Sequence, residues 1–377
     1  MTRRHLDPIP LNPARAASLG EPLLAWFAIH KRPMPWRETK DPYRIWISEV
    51  MLQQTQVATV IPYFERFVAR FPTVGSLAAA SPDELLKHWE GLGYYSRARN
   101  LQAAAKVLVE HHEGTLPREL GALMGLPGVG SYTAGAIASI AFNQPVPAVD
   151  GNVFRLLSRV FTLSDDITRP ATRLRFEDLA QRLIPSGSAS TFNQALMELG
   201  ATVCSPTRPD CAACPWQDGC AARAADRIGE YPVKAKKAAP KEVDFAVLVA
   251  RSSDGRYLIG RRPDGGLLGG LWEFPTRELA PGETVESGVV GLAEALGLTS
   301  EPPVPLVTVP HLFTHRKARF IAYLADGAAG PDGADLRWVS EAELDEYAWP
   351  LAQAKIRGAI AQPAQLALEL TPRLPGA

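Results

Sequence analysis

Along the first two thirds of the chain, apolar residues recur every three to four positions; in the last third they fall in short runs or alternate. The first pattern predicts helices over Glu21–His30, Ile45–Phe71, Pro82–Trp89, Ala98–His111, Tyr132–Phe142, Val153–Phe161 and Thr191–Val203. Glycine- and proline-bearing turns separate them, and Ser81-Pro82-Asp83-Glu84 reads as a helix start, with a capping serine, proline at the first position and acids in the first turn. The second pattern predicts strands at Phe245–Ala250, Arg256–Arg261, Val304–Val309, Arg319–Ala325 and Asp335–Val339, with one helix near Val285–Leu296. Between the two textures lies Tyr231–Glu242, basic, rich in alanine and proline and without periodicity. The expected organisation is therefore multidomain. An all-α part spans 1–232, a linker 233–242, an α+β part 243–362 and a tail 363–377.

Charge adds a bias between the halves. The chain carries 40 bases and 40 acids, but residues 1–232 hold 24 bases against 22 acids and residues 243–377 hold 12 against 17. The front is mildly basic, which suits a polyanion without requiring one. No run of about 18 apolar residues predicts a membrane span, and Met1–Pro13 lacks the apolar core of a secretory signal. The cytoplasm is the resulting expectation; separately, the chain is expected to be a monomer.

All four cysteines fall together as Cys204, Cys211, Cys214 and Cys220, spaced C-x6-C-x2-C-x5-C. Four thiols this close, in a chain with no secretory signal, point to a metal centre rather than to disulfides. Zinc and a [4Fe–4S] cluster both accept four thiolates; the single C-x2-C pair favours the cluster over a zinc ribbon. Within the first loop, Arg208 is placed to meet a phosphate.

Three further sites carry candidate chemistry. Leu126-Pro-Gly128-Val-Gly130 precedes a helix, so its glycines permit a sharp turn and the helix N-terminus offers N–H groups to a phosphate; an ordinary helix–helix turn has the same look. Glu49 is a polar exception in the apolar stretch Ile45–Val60, either on a solvated face or as a carboxyl whose raised pKa suits a general acid. Asp150 stands just before the Val153–Phe161 helix, where it can cap the helix and also face a developing cation. Two carboxyl groups in unlike environments are the usual equipment for breaking a bond at an anomeric carbon.

Taken together, the glycine hairpin, the aspartate some twenty residues on and the cysteine spacing resemble the helix-hairpin-helix DNA glycosylases of the endonuclease III type. Trp46-Ile-Ser-Glu49-Val-Met-Leu-Gln-Gln-Thr55, Gly91-Leu-Gly-Tyr-Tyr-Ser-Arg-Ala98 and Gly269-Gly-Leu-Trp-Glu-Phe-Pro275 narrow the resemblance to the MutY-type adenine glycosylases, over about residues 21–350. That resemblance implies base excision repair of adenine mispaired with 8-oxoguanine or guanine in double-stranded DNA, a [4Fe–4S] cofactor on the four cysteines, and a Nudix-like C-terminal reader of 8-oxoguanine. In a bacterium it implies a place at the nucleoid, and in a eukaryote the nucleus or mitochondrion. It further implies Glu49 as proton donor and Asp150 as anion, with Tyr132 and Asn152 orienting Asp150. Arg32, Met34, Trp36, Arg37, Val57 and Gln194 would line the adenine pocket. Gln54 and Tyr94 would wedge into the duplex and Thr55 and Leu92 touch the opposite base, while Gly128 and Gly130 meet the backbone. Phe313-Thr314-His315 would match a Phe-Ser-His loop, with a methyl group added at the middle position.

Two other readings compete. A bifunctional endonuclease III-like glycosylase/lyase acting on oxidised pyrimidines would carry a lysine at position 132, where this chain has a tyrosine that cannot form a Schiff base. A pyrophosphohydrolase in the C-terminal part would need a cluster of acids, and Val289–Gly297 holds one.

Overall fold

The computed structural model describes residues 8–235 and 239–361. Part of the expected linker, 236–238, and the expected tail, 363–377, lie outside the described residues. The helices run α1 (Pro13–His30), α2 (Pro42–Met51), α3 (Val57–Arg70), α4 (Val74–Ala79), α5 (Pro82–Trp89), α6 (Ser96–His111), α7 (Leu120–Met124), α8 (Ser131–Ile140), α9 (Gly151–Val160), α10 (Pro170–Leu183), α11 (Ala189–Thr202) and α12 (Ala221–Ala224). After them come β1 (Lys241–Ala250), β2 (Tyr257–Arg261), β3 (Trp272–Glu273), β4 (Thr276–Glu278), α13 (Val285–Ala295), β5 (Val304–Leu312), β6 (Arg316–Ala325), β7 (Leu336–Val339) and α14 (Leu351–Ala361).

The expected long helix over Ile45–Phe71 is two helices. Residues 52–56 break it, and Gln54 there adopts a left-handed backbone, φ 59°. No glycine or proline marks this break, which is why periodicity ran through it. Likewise β1 begins at Lys241, inside the stretch read as linker.

The described residues form two compact units. Those of Met1–Ala79 and Asn100–Lys237 make one, and those of Ala80–Arg99 and Ala238–Ala377 the other. Segment 80–99, expected within the helical part, thus groups with the strands. Polar contacts account for it: Trp272 Nε1 donates to Asp83 at 3.2 Å, Lys87 Nζ to the Tyr347 carbonyl at 2.9 Å, and Arg99 to the Gly269 carbonyl at 2.5 Å.

In the first unit, Leu23, Phe27, Leu157, Phe176, Leu196 and Leu199 share a core drawn from α1, α9, α10 and α11. Each such buried side chain contributes about 1.5–3 kcal/mol. Trp216 joins this core and donates from Nε1 to the Leu19 carbonyl at 2.7 Å, tying the cysteine loop to α1. A smaller cluster of Ile45, Ala136, Ile140 and Ala148 packs α2 and α8 against the segment that leads to Asp150. That segment passes so close to α8 that a Cβ on Gly135 would meet the Pro147 carbonyl oxygen at 2.1 Å.

In the second unit two sheets occur, ordered β4-β1-β6-β5 and β3-β2-β7. β1 pairs in parallel with β6, Phe245 opposite Phe320, and those rings stack at 4.8 Å. Alternation along β1 sends Val243, Phe245, Val247 and Val249 into one core and Ala246, Leu248 and Ala250 into another, so both faces are buried. The antiparallel β5–β6 pair closes through Phe313-Thr314-His315.

Candidate active site

Five helices of the first unit, α2, α3, α8, α9 and α11, and the stretch after α1 converge on a cavity of about 660 Å³. Glu49 reaches it from α2, where every residue but Pro42 and Arg44 is buried from Tyr43 to Met51. The Asp41 side chain caps α2 by accepting the Tyr43 N–H, with Pro42 at its start. Glu49 is 5 % exposed, and burial pushes its pKa up to about 7. The Tyr132 hydroxyl, which donates to Glu49 Oε2 at 2.5 Å, works against that rise; nearby Asp150 adds to it and Arg37 opposes it. The group is therefore a carboxyl that still holds its proton in part near neutrality, as a general acid requires.

Asp150 caps α9. Its Oδ1 accepts the Val153 N–H at 2.8 Å and its Oδ2 accepts from Asn152 Nδ2 at 2.8 Å. Burial raises its pKa, and these two bonds together with Arg155 counter the rise. Capping and a role facing the cavity hold together. Of the two residues expected to orient Asp150, Asn152 does so directly. Tyr132 hydrogen-bonds Glu49 instead, because the first turn of α8 packs against α2 and brings its hydroxyl to that carboxylate.

Asn152 is itself held. Its Oδ1 accepts from Arg155 Nη2 at 2.8 Å, and Arg155 donates onward to the Gly200 carbonyl at 2.7 Å and to the Cys204 carbonyl at 2.8 Å. A chain of hydrogen bonds thus runs from the Asp150 carboxylate to the backbone of the first cysteine.

All six residues expected around adenine, Arg32, Met34, Trp36, Arg37, Val57 and Gln194, line this cavity, as does Thr55. Met34 and Trp36 are also buried in the core, Trp36 edge-on to Phe64 at 5.3 Å. Sequence reasoning missed Glu198, whose side chain is 1 % exposed and accepts from Arg32 Nε at 2.6 Å and from Arg37 Nη2 at 2.9 Å. Two arginines five residues apart beside one cavity need a buried carboxylate partner, and that was the available signal. Gln54 is exposed at the turn between α2 and α3. Gly128 adopts φ 73° and a Cβ there would meet Asn100 Cβ at 2.6 Å; Gly130 caps α8.

In the second unit Tyr94 is 46 % exposed with φ 47°, and its hydroxyl lies 3.3 Å from Thr314 Oγ1. Two sequence-distant segments expected to face one base therefore meet. Leu92, expected to touch that base, is buried at 6 % exposure. The Phe313 ring packs edge-on to His311 at 4.4 Å, and Thr314 and His315 are exposed.

The four cysteines, none of them in a disulfide, surround a space of about 20 Å³ that Arg159 and Arg223 also line. Arg159 Nη1 lies 3.4 Å from Cys204 Sγ. Burial pushes the Cys214 thiol up to about 12 and also raises the Cys211 thiol. Among the described residues no three His, Cys, Asp or Glu side chains stand close enough for one metal ion.

Comparisons with known proteins agree with this architecture. The HhH-GPD superfamily base excision DNA repair protein family matches residues 47–182, and a NUDIX domain matches 246–358. Adenine DNA glycosylase of Rattus norvegicus is 38 % identical, over 89 % of this chain and 76 % of its own length. The Homo sapiens adenine DNA glycosylase is 36 % identical, over 89 % and 72 %. Among solved structures, a thermostable thymine-DNA glycosylase is 28 % identical with a TM-score of 0.52, covering 56 % of this chain and 97 % of that one. Endonuclease III trapped as a covalent intermediate with DNA, in an estranged-adenine complex, is 26 % identical with a TM-score of 0.50, covering 58 % and 100 %. The chain belongs to the adenine DNA glycosylases, the MutY-type branch of the helix-hairpin-helix base excision repair enzymes.

Proposed function

We propose that this adenine glycosylase is monofunctional, acts on adenine opposite 8-oxoguanine or guanine in duplex DNA, and works as a monomer. The observation that carries the reading is the pairing of Glu49, titrating at about 7, with Asp150, held by two N–H donors, on one cavity large enough for a purine. Adenine flipped from the stack enters at a cost of a few kcal/mol. Glu49 donates its proton to N7, the C1′–N9 bond breaks with its electron pair leaving on the base, and the Asp150 carboxylate steadies the cationic sugar. Water adds hydroxide to C1′ and its second proton returns to Glu49. Among the described residues lining the cavity there is no lysine, which supports hydrolysis over a Schiff-base lyase route.

Cys204, Cys211, Cys214 and Cys220 would hold the [4Fe–4S] cluster, which when bound supplies a cross-link that ties the 204–220 loop together. Arg208 in that loop would meet a phosphate. Gln54 and Tyr94 would fill the gap left by the flipped base, with Thr55, Leu92 and the Phe313-Thr314-His315 loop reading 8-oxoguanine, and Gly128 and Gly130 admitting the backbone. The enzyme would work in the bacterial cytoplasm at the nucleoid, or in a eukaryotic nucleus or mitochondrion. No described helix is long and apolar enough to cross a membrane. The test is a duplex with adenine opposite 8-oxoguanine, assayed for strand scission with and without alkali. Scission after alkali alone is expected; scission without alkali would overturn monofunctional hydrolysis.

A further inference from the structure

The turn that carries Tyr94 is gripped at both feet by a single residue of the C-terminal strands-and-helix core. Glu90, which ends α5, accepts the Trp349 backbone N–H on Oε1 at 3.0 Å. Tyr95, at the other foot, donates its hydroxyl to the Trp349 carbonyl at 3.3 Å, and that same hydroxyl accepts the Gly91 N–H at 3.3 Å. Lys87 braces the arrangement by bonding Glu90 Oε2 at 2.7 Å and the Tyr347 carbonyl at 2.9 Å. Trp349 is a firm anchor: its ring is 1 % exposed, packs on Phe274 at 5.1 Å, and donates to the Leu344 carbonyl at 2.8 Å. Gly91, Gly93 and Tyr94 all have positive φ, so the turn between the feet holds a backbone shape that needs support from outside itself.

We propose that Glu90 is a positioning residue that, with Tyr95, clasps the 91–94 turn to Trp349 and so fixes Tyr94 beside Thr314. The clasp makes preference for the base opposite adenine depend on a residue that touches no nucleotide. This rests on the reading of that region as the 8-oxoguanine contact. Excision chemistry, in the other unit, does not pass through it.

Glu90→Ala and Glu90→Gln in the full chain separate the possibilities. Hydrogen exchange across 91–95 without DNA, and single-turnover excision of adenine opposite 8-oxoguanine and opposite guanine, are measured for each. Loss of one charge-assisted hydrogen bond corresponds to about tenfold. Glu90→Ala is expected to speed exchange at 91–95 and shrink the preference for 8-oxoguanine, each by about tenfold, with the saturated rate opposite guanine within about twofold. Glu90→Gln keeps an acceptor for Trp349 and is expected to retain most of the wild-type behaviour. Unchanged exchange in Glu90→Ala overturns the clasp, as does a loss of protection throughout the protein or a Glu90→Gln as impaired as Glu90→Ala. A wild-type enzyme that does not prefer 8-oxoguanine would sink the specificity reading alone, since the exchange arm still decides the clasp.

Discussion

Replacing Glu49 with glutamine should remove activity and strengthen the fold at once, and the second effect follows a definite pH course. The folded carboxyl titrates at about 7, against an ordinary 4.5. A carboxyl whose pKa is raised by folding binds its proton more tightly in the native state, so it costs stability as pH climbs from about 4.5 to about 7 and the full cost persists above. The gap corresponds to about 3 kcal/mol. Glutamine keeps the shape and an acceptor for the Tyr132 hydroxyl but never ionises. Relative to wild type, Glu49→Gln should therefore gain little at about pH 4.5 and about 3 kcal/mol at about pH 9, or roughly 6–12 °C in the unfolding temperature.

Thermal unfolding of both proteins across that pH range measures the difference directly. Adenine excision, followed in parallel, should fall by about 10²–10⁴-fold in the variant, with binding to a mispaired duplex retained. A stability difference that is flat with pH, or that grows toward acid, would refute the claim that Glu49 is a buried carboxyl with a raised pKa. Normal excision by the variant would remove it as the acid.

Tyr132→Phe deletes the donor that holds the Glu49 pKa down; the alkaline fall in single-turnover excision, expected near pH 7 in wild type, should move up by about one pH unit. Arg155→Leu cuts the hydrogen-bond chain from Asp150 to Cys204; excision should drop by about tenfold or more and the visible absorbance of the proposed cluster should be lost sooner on warming. Gly135→Ala drives a methyl group onto the Pro147 carbonyl; unfolding measurements should show a loss of at least about 3 kcal/mol. Acid release of iron from the proposed cluster, followed by iron quantification and proteolysis, should expose the 204–220 loop to cleavage while leaving the 243–361 region protected.

Where periodicity and chemistry coincided, the chain was readable in advance. Glu49 stood out as one acid in an apolar helix, and Asp150 as an acid before a helix; both proved to face one cavity. Other features left no local mark. The break at 52–56 rests on Gln54 in a left-handed conformation, with no glycine to announce it. β3 is two residues long and owes its existence to pairing with β2, so no alternation could reveal it. α10 was overlooked because charges crowd its sequence, though Pro170 at its start was a usable sign. Lys87 and Glu90 look in sequence like a solvated pair on a helix, and only their distant backbone partners show otherwise. Glu198 similarly acquires meaning only when α11 meets the residues after α1.

The discontinuity of the second unit bears on how the polypeptide matures on the ribosome. Residues 80–99 leave the exit tunnel well over two hundred residues ahead of Trp349, so early in synthesis this excursion lacks its hydrogen bonds to Trp272, Tyr347 and Trp349. Translation arrested after residue 240 yields a chain with the excision residues present and this hydrophobic excursion stranded. Such a fragment is a target for chaperones in its own right, and its behaviour cannot be equated with that of the intact enzyme minus one domain.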